Sequence, residues 1–434
     1  MNLDINREFN LINKELRKEY RSTRNRIHSI LYDSRFVLKV AELYPFPVVA
    51  NERCGSWYVP PQRITEKCYF KSTDGHNNNW DFSTRRLNFH ILPLIAKHKG
   101  VLIVDSTRRG KKIPDSLSKT VPIWCAVLNA IRDGSHDSEL FTPLKSIARS
   151  EHLRIREKLP LLVEKARRLD VISQQHLKTL FDKPLKPVWI TPRSKLPLEV
   201  QSSDQLPYIP IYLVTASFQC QDGTLSMDNF LYVQGAADDH ELWSNGLTPY
   251  LLWSHLDYFI ERERNDEELR EIIASIKSEK PSSSQIFTNL LEVRPRLFKA
   301  KLTTEYVQSL PDYDLVVVLD EKVTFVSRDS NEKPVLLHLP LTSGSKKSGK
   351  ELRNKLPTLM KELVPAYTAN KSILVLCGTG CDLSVGVILC LLSAETRNID
   401  KSVIRKHLIE LIAIDKEINP SRATLNSVNT FLMS

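Results

Sequence analysis

The chain has 434 residues, well beyond the ~150 of one ordinary domain, so two or three domains are expected and a single small module is excluded. Apolar residues make up 41% and charged residues 26%, the balance of a folded globular protein rather than a disordered one. Lys and Arg number 61 against 51 Asp and Glu, and the resulting charge of +10 favours a polyanionic partner such as RNA, DNA, a nucleotide or an acidic membrane.

Residues 1–7 are polar and show neither a secretory signal nor a transit peptide. Ile5, Phe9, Ile12, Leu16 and Tyr20 then recur at helical spacing while Lys14, Arg17, Lys18, Arg21, Arg24 and Arg26 crowd the other faces, which predicts a basic amphipathic helix. Arg17, Lys18 and Arg21 are its candidate RNA-binding residues. Prolines at 45, 47, 60 and 61 break the next stretch into short extended pieces. Residues 101–104 read as a buried strand delivering a polar loop, residues 145–168 as a second basic helix, and residues 184–210 as a proline-rich connector. Strands are expected at 212–217 and 230–234 and one helix at 251–276, while residues 278–285 are a Pro/Ser-rich candidate linker. A stronger division is expected near Pro311, giving an N-terminal region 1–310 of α+β character and a C-terminal α/β domain 311–434 with a parallel-type sheet flanked by helices. Residues 373–394 are apolar enough to suggest a membrane span, but Gly378, Gly380, Asp382 and Gly386 near the middle suit strand, loop and buried helix instead, and no membrane association is expected.

Seven cysteines, at 54, 68, 125, 220, 377, 381 and 390, are scattered without CxxC pairs, which argues against a zinc ribbon or a disulfide scaffold and for a reducing compartment. Four polar clusters could carry chemistry. Asp105, Ser106, Thr107, Arg108, Arg109, Gly110, Lys111 and Lys112 offer hydroxyls, backbone donors and cations to a phosphorylated ligand. This is not a Walker A loop, because Asp105 stands where the first glycine is needed and Lys112 where Ser or Thr is needed. It is similar to the diphosphoribose loop of ordinary phosphoribosyltransferases, without the second acid and the Thr-Gly turn of that loop. Upstream, Asp74, Gly75 and His76 form a smaller cluster in which His76 is a candidate for proton transfer.

Asp238, Asp239, His240 and Glu241 place three carboxylates and an imidazole within four residues, a set able to hold Mg²⁺ through oxygen or to act as acid and base, with Trp243 available to stack on a base or ribose. The segment from Cys377 to Ser384 lies between a strand and an apolar helix and resembles the phosphate loop of dual-specificity phosphatases. Cys377, Gly380 and Ser384 fit that pattern, but Leu376 replaces its His and Leu383 its Arg, which removes the bidentate clamp on the phosphate. Thr379, Gly380, Asp382 and Ser384 are its candidate phosphate-binding residues.

The order KSTDGH, VDSTRRGKK with PDSLSKTVPIWC, QGAADDHELWSNGLTP and LCGTGCDLSVG with NPSRATLNSVNTFLM resembles the initiator tRNA phosphoribosyltransferases of fungi and plants over nearly the full chain. The resemblance implies an N-terminal transferase region before a dual-specificity-phosphatase-like domain. It also implies transfer of a 5-phosphoribosyl group from phosphoribosyl pyrophosphate to the 2′-hydroxyl of a T-stem adenosine in initiator methionine tRNA, in the cytoplasm. That chemistry asks for Mg²⁺, expected on Asp238 and Asp239, for His240, Glu241 or His76 in acid-base and ribose-stabilising roles, and for donor contacts from Asp105, Ser106, Thr107, Arg108, Lys111 and Trp243. A phosphatase using Cys377 and a non-catalytic RNA-binding protein are the alternatives. Oligomeric state is left open.

Overall fold

The computed structural model describes residues 19–71, 80–84, 86–197, 203–261, 264–278, 286–303, 306–307, 311–325, 334–394, 396, 399–415 and 417–433. The chain divides into two compact units, 1–280 and 281–434. The division therefore falls at the Pro/Ser-rich segment rather than near Pro311, because strands β8 (Phe287–Arg294) and β9 (Leu297–Leu302) are needed to complete the second sheet.

The first unit opens with α1 (Thr23–Leu43), whose start is capped by the Ser22 side chain accepting from the Asn25 amide. Five parallel strands follow in the order β2-β1-β3-β5-β4: β1 (Val48–Asn51), β2 (Glu66–Cys68), β3 (Val101–Asp105), β4 (Leu185–Ile190) and β5 (Ile209–Thr215). A wholly parallel sheet makes this region α/β, not the expected α+β; α2 (Leu92–His98) is among the helical crossovers that parallel strands require. On one face Leu102, Val104, Tyr212 and Val214 join the Ile27, Ile30, Val37 and Val40 stripe of α1 in a single core. The opposite side carries α3 (Val121–Asp133), buried from Val121 to Ile131, which packs on β4, α4 (Arg149–Arg167) and α5 (Gln174–Leu180). The segment expected as a connector thus contains β4, which Pro187 can enter because β4 is an edge strand with one unpaired side. A small antiparallel ribbon, β6 (Thr224–Ser226) with β7 (Leu231–Val233), follows β5. The single helix expected at 251–276 is three: α6 (Pro249–Ser254), α7 (Leu256–Ile260) and α8 (Asp266–Ser278).

Ribbon and helix are joined by a buried acid. The Tyr232 hydroxyl donates to both Asp33 oxygens at 2.9 Å, and the Phe218 amide donates to the Tyr232 oxygen at 2.8 Å. Burial pushes the Asp33 carboxyl well above the usual carboxylate range. A raised folded-state pKa means that the folded state binds the proton more tightly, so this contribution to stability is present below pH ~4 and is lost as pH rises toward the raised value. Asp33→Asn, which cannot ionise, should therefore gain stability relative to wild type as pH rises from about 4 toward that raised value in thermal melts. A gap that stays constant with pH would refute this.

The second unit holds a sheet in the order β13-β11-β14-β9-β8, with β11 (Leu315–Leu319), β13 (Val335–Leu339) and β14 (Ile373–Cys377) parallel to β9 and the edge strand β8 antiparallel. Alternation along the strands builds two cores. Leu315, Val317, Leu319, Ile373 and Val375 meet α9 (Lys346–Thr368), α10 (Leu383–Ser393), α11 (Lys401–Ile414) and α12 (Arg422–Leu432). Val316, Val318, Leu374 and Leu376 face the other way, onto Val307 of β10 (Tyr306–Val307), Val323 and Phe325 of β12 (Thr324–Phe325). Among the described residues no helix is long and apolar enough to cross a membrane. Helix α10 fails to qualify because its 11 residues are too few.

Candidate functional site

In the first unit β2 and β3 lie on opposite sides of β1, so the chain reverses direction across the sheet at the β1/β3 boundary. Ligands of parallel α/β sheets bind at such a point, outside the carboxyl ends of the strands. Asp105 ends β3 there and is fully buried. Its carboxylate accepts from Asn51 Nδ2 at 2.9 Å, from the Ser106 amide at 2.8 Å, from Arg53 Nε at 3.4 Å and from the Ser116 hydroxyl. Ser116 opens a π-type turn, Ser116–Thr120, that leads into α3, the kind of widened turn that places a side chain where a regular helix does not.

Arg53 joins this buried acid to the acidic turn that follows β7. Its Nη1 lies 3.1 Å from Asp238 Oδ1, and its Nη2 donates to the Ser106 carbonyl. Burial works against its charge, but Asp105 and Asp238 outweigh that cost and hold the guanidinium above its ordinary pKa. Arg108 reaches the same turn from the β3 loop, with Nε 3.9 Å from Asp238 Oδ2 and Nη1 3.6 Å from Asp239 Oδ2. The two loops are also fastened through backbone. Gln234 Nε2 donates to the Arg108 and Lys111 carbonyls at 3.1 and 2.7 Å, and Ser217 Oγ donates to the Thr107 carbonyl at 2.9 Å. From α1, Arg26 Nη1 donates to the Ala236 and Asp238 carbonyls at 2.8 and 3.0 Å.

Two expected clusters, the β3 loop and the acidic turn, therefore form one site containing Asp105, Arg108, Asp238 and Asp239. Several expected contributors have other duties. Ser106 and Thr107 are buried, the Ser106 hydroxyl donating to Tyr58 Oη at 3.0 Å and the Thr107 amide donating to Ser217 Oγ at 3.2 Å, so both hold the loop rather than present groups to a donor. Trp243 is also buried; its ring lies 5.3 Å from that of Trp57 and its Nε1 donates to the Asp238 carbonyl at 3.3 Å, which leaves no face for a base or ribose. Lys111 Nζ pairs with Asp115 at 3.1 Å. The His240 ring lies 5.8 Å from that of Trp57, tilted at 49°, with its Nε2 3.7 Å from the exposed Glu241 carboxylate. His76, Asp74, Arg17 and Lys18 lie outside the described residues, and Arg21 is exposed.

In the free protein Asp238 and Asp239 do not form a Mg²⁺ site. Each carboxylate already faces a guanidinium where the cation is needed, and among the described residues no group of three or more His, Cys, Asp or Glu side chains is arranged to hold a metal.

Asn51 and Arg53 escape the sequence reading although their signal is the one that marks Asp105: a short apolar run, here residues 48–50, ending in polar residues. The flanking prolines disguise it as broken extended chain.

In the second unit β14 delivers Cys377 to a loop closed by α10. Cys377 is fully buried, with Sγ 3.1 Å from the hydroxyl of Ser384, itself fully buried. The Gly380 amide turns back to the Cys377 carbonyl at 3.0 Å, and the Gly380 carbonyl accepts from Lys299 Nζ at 2.9 Å. Asp382 accepts from the Ser421 amide and Thr424 hydroxyl through Oδ1, at 2.8 and 2.6 Å, and from the Gly344 amide through Oδ2, at 2.8 Å. Asp382 is thus a brace between loop and helix α12, not a phosphate ligand. Gly380 and Ser384 are likewise engaged within the loop, and Leu383 is buried in place of a clamping arginine. Thr379, whose hydroxyl lies 3.6 Å from Cys377 Sγ and 3.4 Å from Ser343 Oγ, borders a cleft of about 230 Å³. That cleft is lined by Lys299 and Lys301 but also by Asp415 and Glu417, a balanced rather than an anion-selective wall.

Residues 16–278 match the protein family described as Rit1 N-terminal domain, and residues 335–432 match the Rit1 DUSP-like domain. The tRNA A64-2′-O-ribosylphosphate transferase of Saccharomyces cerevisiae is 40% identical over 483 aligned residues, covering 97% of this chain and 94% of that protein. A Schizosaccharomyces pombe protein described as uncharacterized is 34% identical over 451 aligned residues, covering 97% of this chain and 96% of its own. Among solved structures, human DUSP28 is 16% identical with a TM-score of 0.26, covering 35% of this chain and 97% of its own. The human tyrosine phosphatase-like serine/threonine/tyrosine-interacting protein is 13% identical with a TM-score of 0.28, covering 33% of this chain and 94% of its own.

Proposed function

This chain belongs to the Rit1 family, and from that premise we propose that it transfers a 5-phosphoribosyl group from phosphoribosyl pyrophosphate to the 2′-hydroxyl of a T-stem adenosine in initiator methionine tRNA, acting in the cytoplasm. The modified tRNA is thereby kept out of elongation. The observation that best supports the reading is the meeting of cations and carboxylates at the β1/β3 switch point: Arg53 and Arg108 against Asp105, Asp238 and Asp239.

In the reaction the bond from ribose C1 to the pyrophosphate oxygen breaks and a bond from C1 to the adenosine 2′-oxygen forms. Arg108 and Lys111, both partly exposed, supply the positive charge that meets the departing pyrophosphate. Positive charge grows on the ribose as the leaving group departs, and Asp239, the more exposed of the two aspartates in the turn, stabilises it. The 2′-hydroxyl proton passes to a base, for which His240 and Glu241 are the described candidates. A stem is a workable target because A-form RNA displays its 2′-hydroxyls in a wide, shallow minor groove.

The test is incubation of the full chain with labelled phosphoribosyl pyrophosphate and initiator tRNA. Label on the tRNA, with release of pyrophosphate, is expected; no transfer with folded protein overturns the reading. A parallel arm uses Cys377→Ser, which preserves the size of a loop that lacks the phosphate clamp. It should transfer within a few fold of wild type. A loss beyond ~100-fold, or ~2.7 kcal/mol of barrier, would give Cys377 a chemical role.

A further inference from the structure

Three of the four cations on the loop after β3 are already paired with carboxylates. Arg109 Nη2 lies 3.9 Å from Asp222 Oδ1, Lys111 Nζ lies 3.1 Å from Asp115 Oδ1, and Arg108 spans Asp238 and Asp239. A pyrophosphate arriving at this loop therefore displaces protein anions from the cations it needs.

The Arg108 pairs are built for such an exchange. At 3.9 and 3.6 Å they exceed hydrogen-bonding length, and the Arg108 and Asp239 side chains are 49% and 59% exposed. Arg53, by contrast, hydrogen-bonds to Asp238 at 3.1 Å and reaches fully buried Asp105. Within Arg108 it is the side chain alone that is loosely held, because its carbonyl accepts from Gln234 Nε2 at 3.1 Å and its Cα faces Gly235 too closely for any side chain there. The guanidinium swings on a fixed tether. Adjacent phosphates outcompete a half-exposed carboxylate for it, since they carry more charge and accept both of its parallel N–H groups.

We propose that Asp239 is a built-in competitor of the donor's pyrophosphate for Arg108. In the free protein Asp239 holds the guanidinium; when the donor binds, the pyrophosphate takes the guanidinium over and Asp239 is released to face the ribose. After transfer Asp239 reclaims Arg108, which hastens the release of pyrophosphate. The same carboxylate thus lowers donor affinity and raises turnover, a combination that a simple ligand-binding residue does not produce. The inference rests on the phosphoribosyl pyrophosphate reading given above.

Calorimetric titration of inorganic pyrophosphate into full-length wild type, Asp239→Asn, Arg108→Ala and the double variant tests it as a double-mutant cycle. Asp239→Asn should bind pyrophosphate about tenfold more tightly than wild type while transferring more slowly in single turnover. Arg108→Ala should bind more weakly, and adding Asp239→Asn to it should restore no more than about twofold, since the competition then has no object. Equal or weaker binding by Asp239→Asn overturns the proposal. So does a full tenfold gain in the Arg108→Ala background, which would be bulk charge repulsion alone. Wild-type transfer from labelled donor to tRNA is measured alongside. If wild type transfers and the gain is absent, the exchange alone is wrong; if wild type does not transfer, the donor reading falls and takes the exchange with it.

Discussion

Arg53→Leu should lower ribosyl transfer by about three orders of magnitude and destabilise the first unit by ~3–5 kcal/mol. The cost follows from what is left behind. Asp105 is fully buried, and without the guanidinium its carboxylate keeps only the neutral donors Asn51, the Ser106 amide and Ser116. An unpaired charge there must be protonated or rehydrated, and either response disturbs the end of β3. Asp238 loses its shorter cation contact at the same time, which leaves the segment after β1 the weaker Cys54 Sγ contact to Asp238 and the bond from the Ala237 amide to the Tyr58 hydroxyl. Arg53→Lys should recover stability better than activity, because one ammonium cannot reach Asp105, Asp238 and the Ser106 carbonyl together. Urea unfolding beside single-turnover transfer separates the two effects; an Arg53→Leu variant within tenfold of wild-type transfer would remove Arg53 from the site.

The second large effect is expected at a residue with no side chain. Gly235 has φ +67°, and a Cβ there would lie 2.6 Å from the Thr107 carbonyl oxygen and 2.7 Å from both the Arg108 nitrogen and Cα. All three are backbone atoms of the β3 loop, so no rotamer change relieves the clash. Gly235→Ala should cost ~1–2 kcal/mol for the left-handed backbone and a further ~1–3 kcal/mol for overpacking, and should cut transfer at least ~100-fold by parting the two loops. Gly110→Ala is the matched control. It shares a positive φ, +84°, but has nothing within 4 Å of the added carbon, so it should show only the backbone cost. Equal losses for the two variants would mean that backbone strain, not the loop junction, governs the effect.

The sequence was most informative where one local rule acts. The apolar run at 101–104 closed by Asp105, the strand at 373–376 followed by the loop at Cys377, and the acidic turn at 238–241 are each legible because burial on both faces or a sharp change to polar residues occurs within a few positions. Where two rules competed, the wrong one was favoured. Prolines at 184, 187 and 210 argued for a connector, yet tertiary packing placed residues 185–190 on a sheet edge, where Pro187 leaves its missing N–H toward the unpaired side. Trp243 carried the composition of a stacking residue, but only the fold shows that Trp57 and the Arg26 guanidinium occupy its surroundings.

Composition, charge and periodicity by themselves determined that this is a multidomain, cation-rich α/β protein, and its motifs resemble, in order, those of tRNA ribosyl phosphate transferases. The tertiary structure alone decided which residues form the site. Asp105 and Asp238 are 133 positions apart in sequence, and Arg53 precedes Asp105 by 52, but parallel strand order brings the ends of β1 and β3 side by side and the turn after β7 onto them. Sequence spacing carries information about neighbours within a helix turn or a strand, whereas contacts between strand ends depend on sheet order, which no local pattern encodes.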